Sequence, residues 1–368
     1  MMRPRLNAVE ALTPAFEQTK RQLFKPFRWG RWARLAWVAM VTGEFAGGGG
    51  GGWSGGNFNW PHGQGKRGLA LVSFLDPSWS QIKEFLPWIA AGVFILITLV
   101  LLWLYTASVY RFILLDSVLH DRCELRAGWR RWRQRGNSFF LWIIAFALSV
   151  PILLLVVIGA PVFAAWRAGI FDHPREHLTL LILGGVALFF LLVGLLVAAA
   201  VVALFAKDFA VPLMAIEDLS VTDAWHRLLP MLGAEKLAYT GYVLMKIVLA
   251  VGSAIIFGII NLFILLGLLI PLGIVGAVLY FAAQGAGFTW TPVTISVVVL
   301  AGTVVLSAIF FVIAFVSTPA MVFFQSYTLH FFGSRYPALG EVVFPPPPPP
   351  PEEPTPLSPI EPAPAPAA

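Results

Sequence analysis

Charge and cysteine are scarce in this chain. Only 12% of its 368 residues are charged, and one, Cys123, is a cysteine. A lone thiol excludes an intramolecular disulfide and a cysteine-held metal cluster, and it leaves the redox compartment undetermined. So little charge, beside 58% hydrophobic residues and a mean hydropathy of +0.80, excludes a soluble fold, which averages about 25% charged and about 45–50% apolar residues. Residue patterns that carry chemistry are lacking too. His173 and His177 stand four apart, a spacing that puts two metal ligands on one helical face, but Pro174 lies between them and no Glu follows the first. The six glycines Gly47 to Gly52 come without the spacing, the lysine and the flanking strand and helix of a phosphate-binding loop. Catalytic residues, metal ligands and cofactors are therefore expected to be none. Asp116, Asp121, Glu217, Asp218 and Asp223 are expected in ion pairs and helix caps beside arginines rather than as paired catalytic carboxylates.

What the chain does have is long apolar runs spread over most of its length. They predict an all-α fold, a polytopic integral membrane helical bundle of about six transmembrane helices with interfacial amphipathic helices and internal repeats. The spans fall at about 29–46, 86–108, 139–163, 178–205, 238–269 and 292–316, the first near the lower limit for a crossing. A Gly-rich outer loop fills 47–85, with Trp53, Phe58 and Trp60 suited to an aromatic belt. The stretch from Leu237 to Ala283 is too long for one span and barely long enough for two joined by a turn near Asn261. It reads as one tilted span to about Leu269 followed by a re-entrant or interfacial piece from Pro271; a seven-span count with the C-terminus outside is the alternative. Residues 1–28 form a basic amphipathic segment in which Thr13-Pro14 looks like a helix start. Phe16, Leu23, Phe24 and Phe27 share a face there among Lys20, Arg21, Lys25 and Arg28, fit either for the headgroup layer or for packing on the protein's own core. Residues 336–368, with seven prolines from Pro345 to Pro351, form a Pro-rich disordered tail, a spacer or a docking site for a protein partner.

Orientation follows from one segment. Between Arg111 and Asn137 stand seven arginines, Arg111, Arg122, Arg126, Arg130, Arg131, Arg133 and Arg135, against Asp116, Asp121 and Glu124. The excess of positive charge places this segment in the cytoplasm. Six spans then put both termini inside and nineteen of the 25 Lys and Arg on that side, as in a multi-pass protein of the inner (plasma) membrane with a cytoplasmic N-terminus. If the segment is helical, Leu125, Trp129 and Trp132 share a face that the arginines flank, so the rings can sit at the boundary while the guanidinium groups reach anionic lipid phosphates. Basic residues gathered at membrane edges point to lipid headgroups and not to nucleic acid. A role confined to enforcing insertion topology stands beside that reading. Within the spans the polar residues of interest are Lys246, expected to snorkel to the cytoplasmic face, with an ion-pathway role as the alternative, and Asn261, with Glu44 near an edge.

An internal repeat runs through these segments. Phe209 stands to Trp225 much as Phe112 stands to Trp129, each pair followed by a glycine, Gly233 or Gly136, and then another span. Pro319-Ala320-Met321 matches Pro212-Leu213-Met214 and begins a third, truncated copy. Ser220-Val221-Thr222-Asp223 has the form of a capping box and predicts a helix start. Together with Phe24-Lys25-Pro26-Phe27 and Gly136-Asn137-Ser138-Phe139-Phe140-Leu141-Trp142, these segments make the chain resemble uncharacterised bacterial multispanning proteins related to the membrane domain of some glycerophosphoryl diester phosphodiesterases. The resemblance covers roughly residues 16 to 335 and implies a six-helix membrane domain. The phosphodiesterase barrel is absent, so no activity comes with it. The functional expectation is a non-catalytic envelope or lipid-organising component; the alternative is a transporter or lipid translocator built from the repeated units.

Overall fold

The computed structural model describes residues 5–25, 27–43, 79–121, 123–172, 175–285, 287 and 291–344. Among the described residues there is helix and no strand. In chain order come α1 (Leu12–Phe24), α2 (Trp29–Thr42), α3 (Trp79–His120), α4 (Leu125–Arg167) and α5 (Leu178–Phe205). A π-helical turn, Ala206–Ala210, leads from α5 into α6 (Val211–Ile216), followed by α7 (Val221–Ala234), α8 (Lys236–Gly285), α9 (Pro292–Gly333) and α10 (Pro337–Val343). Five helices among the described residues are long and apolar enough to cross a membrane: Ala90–His120, Leu125–Arg167, Leu178–Ile216, Lys236–Gly285 and Val293–Gly333. The chain is a multi-pass helical membrane protein.

The five helices share one division of labour. The last charged residues before the apolar stretches, Arg111, Arg135, Lys207 and Lys246, lie beside the packed ends of α3, α4, α5 and α8; beyond them long uncharged runs follow, as in α5, where no residue from Leu178 to Phe205 is charged or buried. A bilayer covers such bare apolar helix without help from the rest of the protein, since lipid tails are as apolar as leucine. At and around these charges the helix ends pack into a dense layer. Phe112, Phe139, Phe209, Tyr242, Tyr327, Phe331 and Phe332 are all less than 2% exposed there. Phe209 anchors the layer, its ring 5.0 Å from those of both Tyr242 and Phe332. The three repeat copies occupy equivalent places, at the buried ends of α3, of α5 with α6, and of α9. Between α3 and α4 the approach is so close that a Cβ on Gly136 would lie 2.9 Å from the Cα of Val109.

Several expectations are corrected. The arginine segment, set between the expected spans 86–108 and 139–163, is part of the helices themselves: α3 runs on to His120 and α4 begins at Leu125, leaving a short turn in which Asp121 takes a left-handed φ of 56°. Arg, Ala, Leu and Gln are good helix formers, so the helix continues past the apolar run that hydropathy detects. Neither Asn261 nor Pro271 interrupts α8, a single helix of 50 residues, about 75 Å at 1.5 Å per residue. No turn and no re-entrant piece lies there. Helix α1 starts at Leu12 with Ala11 before it, so Thr13 does not cap it. Its buried stripe is Ala11, Ala15, Thr19 and Leu23, whereas Phe16, Phe24 and Phe27 are more than half exposed. It lies along α9, where Tyr327 donates a hydrogen bond to the Ala8 carbonyl at 2.9 Å.

The expected first span is the 14-residue α2, about 21 Å long against a hydrocarbon core of about 30 Å. Arg31 pairs with Asp121 at 2.7 Å, and the Trp32 indole donates to the Phe315 carbonyl at 2.8 Å. At the far end of α2, Gly43 (φ 71°) faces Trp103. Helix α2 therefore runs antiparallel to α3, from the packed layer to the level of Trp103, about 26 Å along α3 from His120. Because α1 lies in the packed layer and α3 starts at the opposite end, the chain changes sides between them, and α2 makes the described part of that passage. Residues 44–46 and 47–78 of the expected Gly-rich loop lie outside the described residues, while its last stretch, 79–85, is already helical in α3; of the expected Pro-rich tail, Pro337–Val343 is helix α10, and residues from Pro345 lie outside the described residues.

The termini of the described chain are tied together. Arg335, its side chain 3% exposed, bonds Glu235 at 3.0 Å and the Leu6 carbonyl at 2.8 Å, and Arg5 pairs with the same glutamate. Ser220 caps α7 by accepting from the Asp223 amide at 3.3 Å, as its motif predicts. Of the other acids singled out in the sequence, Asp116 pairs with Arg131, Glu217 with Arg227 and Asp218 with Arg135.

Candidate functional site

The first turns of α4 hold most of the sequence-predicted site residues and sort them by role. Residues four apart on a helix are neighbours on its surface. Leu125, Arg126, Trp129 and Arg130 thus come to one side of α4, where with Tyr110 of α3 they line a cleft of about 500 Å³. Trp129 is held there by edge-on contact with Tyr105 at 5.9 Å and by Tyr110 at 5.8 Å. Tyr105 in turn meets Phe140 at 5.5 Å, so an aromatic run leads from the cleft along the α3–α4 seam toward the bare apolar part of the hairpin. Among the described residues no carboxylate lies within ion-pair distance of Arg126 or Arg130.

The other predicted residues do different work. Trp132 is not a boundary residue: it is buried, stacked 5.7 Å from Phe112, because one helical turn beyond Trp129 the α4 surface rotates onto α3. Arg131 lies over that ring at 4.9 Å and reaches Asp116 at 3.8 Å. Arg135 grips Asp218 with two nitrogens, each 2.5 Å from a carboxylate oxygen, and this holds the Asp218 carboxyl below its usual range. Arg133 is exposed, and Arg122 lies outside the described residues. Cys123 is buried in the turn, and burial pushes its thiol up, partly opposed by a hydrogen bond from Ser117 and by Arg34 and Arg31.

A second cluster lies where the apolar stretches meet the packed layer. Lys246 does not snorkel; its ammonium pairs with Asp208, and both side chains are about 5% exposed or less. The Tyr242 hydroxyl bonds Asp208 at 2.9 Å and Thr328 at 2.7 Å, and lies 3.3 Å from the lysine nitrogen. Asp208 belongs to the π-helical turn, a feature that inserts an extra residue and re-aims its side chains, often at functional sites. The quartet joins the π turn, α8 and α9. Asn261 stands apart from it and donates to Ser317 at 3.2 Å. Sequence reasoning gave Lys246 no partner, yet the partner has a signal: Asp208 is the first acid after the uncharged run of α5, as Lys246 is the last charge before that of α8. Tyr105 and Tyr110 were likewise missed, although tyrosines at the end of an apolar run are the usual material of a membrane boundary.

Among the described residues no three His, Cys, Asp or Glu side chains gather as a metal site would require. The model of one protein family, "Family of unknown function (DUF7544)", matches residues 6–342. No curated protein and no solved structure matches the chain.

Proposed function

The chain belongs to this family of unknown function, and from that premise we propose that it is a non-catalytic component of the inner membrane that organises anionic lipid at the cytoplasmic face. The observation that carries the reading is the cleft of Arg126, Arg130, Trp129 and Tyr110, exposed cationic groups beside aromatic rings at the inner end of two membrane helices. Basic residues near an anionic surface contribute about 1 kcal/mol each, and interfacial tryptophan and tyrosine fix depth. By the positive-inside rule the packed, arginine-rich end and the N-terminus face the cytoplasm. The proposal includes kinship with the membrane domain attached to glycerophosphoryl diester phosphodiesterases, without that enzyme's activity. As a test, purified protein is incubated with mixed lipid and examined by native mass spectrometry. Retention of anionic over zwitterionic lipid, weakening at high salt, is expected; equal retention of both contradicts the reading.

One observation favours the second reading, a transporter or lipid translocator: the buried Asp208–Lys246 pair, which lies at the edge of the apolar stretches within two candidate membrane helices, since ionisable groups in such helices mark substrate and ion pathways. Its test is transbilayer movement of fluorescent lipid in proteoliposomes, with movement lost in Lys246→Met as the supporting result and no movement by the wild type as the opposing one.

A further inference from the structure

We infer that the cleft is a discrete site for one anionic glycerolipid, its phosphate held between Arg126 and Arg130 and an acyl chain laid along the α3–α4 seam over Tyr105 and Phe140. The inference rests on the lipid-organising reading and narrows it from a diffuse basic surface to one occupant in one place.

Three features of the structure support it. First, the arginines divide by partner: Arg131 and Arg135 are engaged by Asp116 and Asp218, whereas Arg126 and Arg130, one helical turn apart, form no ion pair among the described residues. Two guanidinium forks on one face match the oxygens of a phosphate group. Second, the rest of the lining is apolar and aromatic, made by Leu125, Trp129 and Tyr110. A small hydrophilic anion has no use for that lining, while the glycerol and upper acyl region of a lipid does. Third, the aromatic run through Trp129, Tyr105 and Phe140 continues from the cleft in the direction of the membrane, with rings 5.5–5.9 Å apart. Leu101 and Leu141 flank its outer end, both at least 40% exposed. Headgroup charge at one end and apolar seam at the other follow the polarity of a phospholipid.

The experiment titrates phosphatidylglycerol into the full-length protein in detergent, with phosphatidylcholine as reference, and counts bound lipid by native mass spectrometry. Wild type is expected to take up one phosphatidylglycerol ahead of the rest. Arg126→Gln/Arg130→Gln is expected to bind that molecule about 30-fold more weakly, the equivalent of about 2 kcal/mol for two basic contacts. Arg133→Gln, which removes an exposed arginine outside the cleft, leaves it unchanged. Arg126→Lys/Arg130→Lys keeps the charge and loses the forks, so it binds more weakly than wild type. Inorganic phosphate and glycerol 3-phosphate fail to displace the lipid. Equal binding by the lysine variant, or equal loss in Arg133→Gln, would overturn the discrete site and leave diffuse attraction. Displacement by inorganic phosphate would replace the lipid with a free anion. No preference of the wild type for phosphatidylglycerol would remove the lipid-organising reading itself.

Discussion

Replacing Lys246 by methionine removes one half of a charge pair that water does not reach. Asp208 and Lys246 are each 4% exposed and Tyr242 is fully buried, so the variant leaves a carboxylate inside the packed layer with the Tyr242 hydroxyl, at 2.9 Å, still donating to it. Breaking a buried pair from one side costs about 3–5 kcal/mol, because the remaining charge keeps its desolvation penalty and loses its compensation. Replacing both partners behaves differently. Asp208→Leu/Lys246→Met takes away both penalties, while Tyr242 keeps Thr328 at 2.7 Å, so its stability should equal or exceed that of wild type, by up to about 4 kcal/mol. Melting of the detergent-solubilised protein, followed by tryptophan fluorescence, provides the assay. The expected order places Lys246→Met lowest, with wild type and the double variant above it. A Lys246→Met protein that melts with wild type would refute the reasoning, and so would a double variant that melts as low as the single one. A double variant that is stable yet lacks lipid translocation seen in wild type would assign the quartet to transport.

Further outcomes follow from the packing and the charges. Gly136→Ala forces a methyl group to 2.6 Å from Val109 Cγ2 and 2.9 Å from its Cα, so α3 and α4 must separate and the variant should lose about 1–3 kcal/mol; Gly184→Ala, with nothing within 4 Å, should not lower the melting temperature. Cys123, buried and with its thiol pushed up, should react slowly with maleimide in the folded protein and readily in denaturing detergent; the raised value means that its contribution to stability is full below the ordinary thiol range and is lost as pH rises through the folded value. Rapid labelling of the folded protein would contradict the burial. The Asp218 carboxyl is held down by Arg135, so its stabilisation is present above the ordinary carboxyl range and lost as pH falls through the depressed value. Asp218→Asn, which tolerates the left-handed φ of 55° at that position, should flatten the acid side of a melting-temperature profile, and an unchanged profile would count against the pair.

The sequence made the long helices legible because a bilayer selects for uncharged length, and the cores of α3, α4, α5, α8 and α9 follow from that alone. Their continuation past the membrane was not legible in the same way. Arginine-rich residues 126–135 are as helical as the apolar run behind them, and hydropathy reports only where lipid is tolerated. Small residues decide between the two readings of α1. Ala11, Ala15 and Thr19 make its buried stripe against α9, and Phe16, Phe24 and Phe27 are turned outward, in keeping with the headgroup-layer reading and not with packing of those rings on the core. Of the candidate cleft, the arginines and Trp129 could be read from spacing. The division between Arg126 and Arg130 on one hand and Arg131 and Arg135 on the other depends on Asp116 and Asp218, which chain folding brings from α3 and from the turn before α7. The pairing of Asp208 with Lys246, 38 residues apart, needed the π turn that aims the acid inward.

The claim on which the account turns is that the packed, arginine-rich ends and the loop between α4 and α5 lie on opposite sides of a membrane, with the arginines in the cytoplasm. In a Cys123→Ser background, Arg133→Cys and Glu176→Cys each place one exposed thiol at one of these ends. Labelling with a membrane-impermeant maleimide in right-side-out membrane vesicles should reach Glu176→Cys at once and Arg133→Cys only after permeabilisation. The reverse order would contradict the orientation, and immediate labelling of both would contradict the crossing itself.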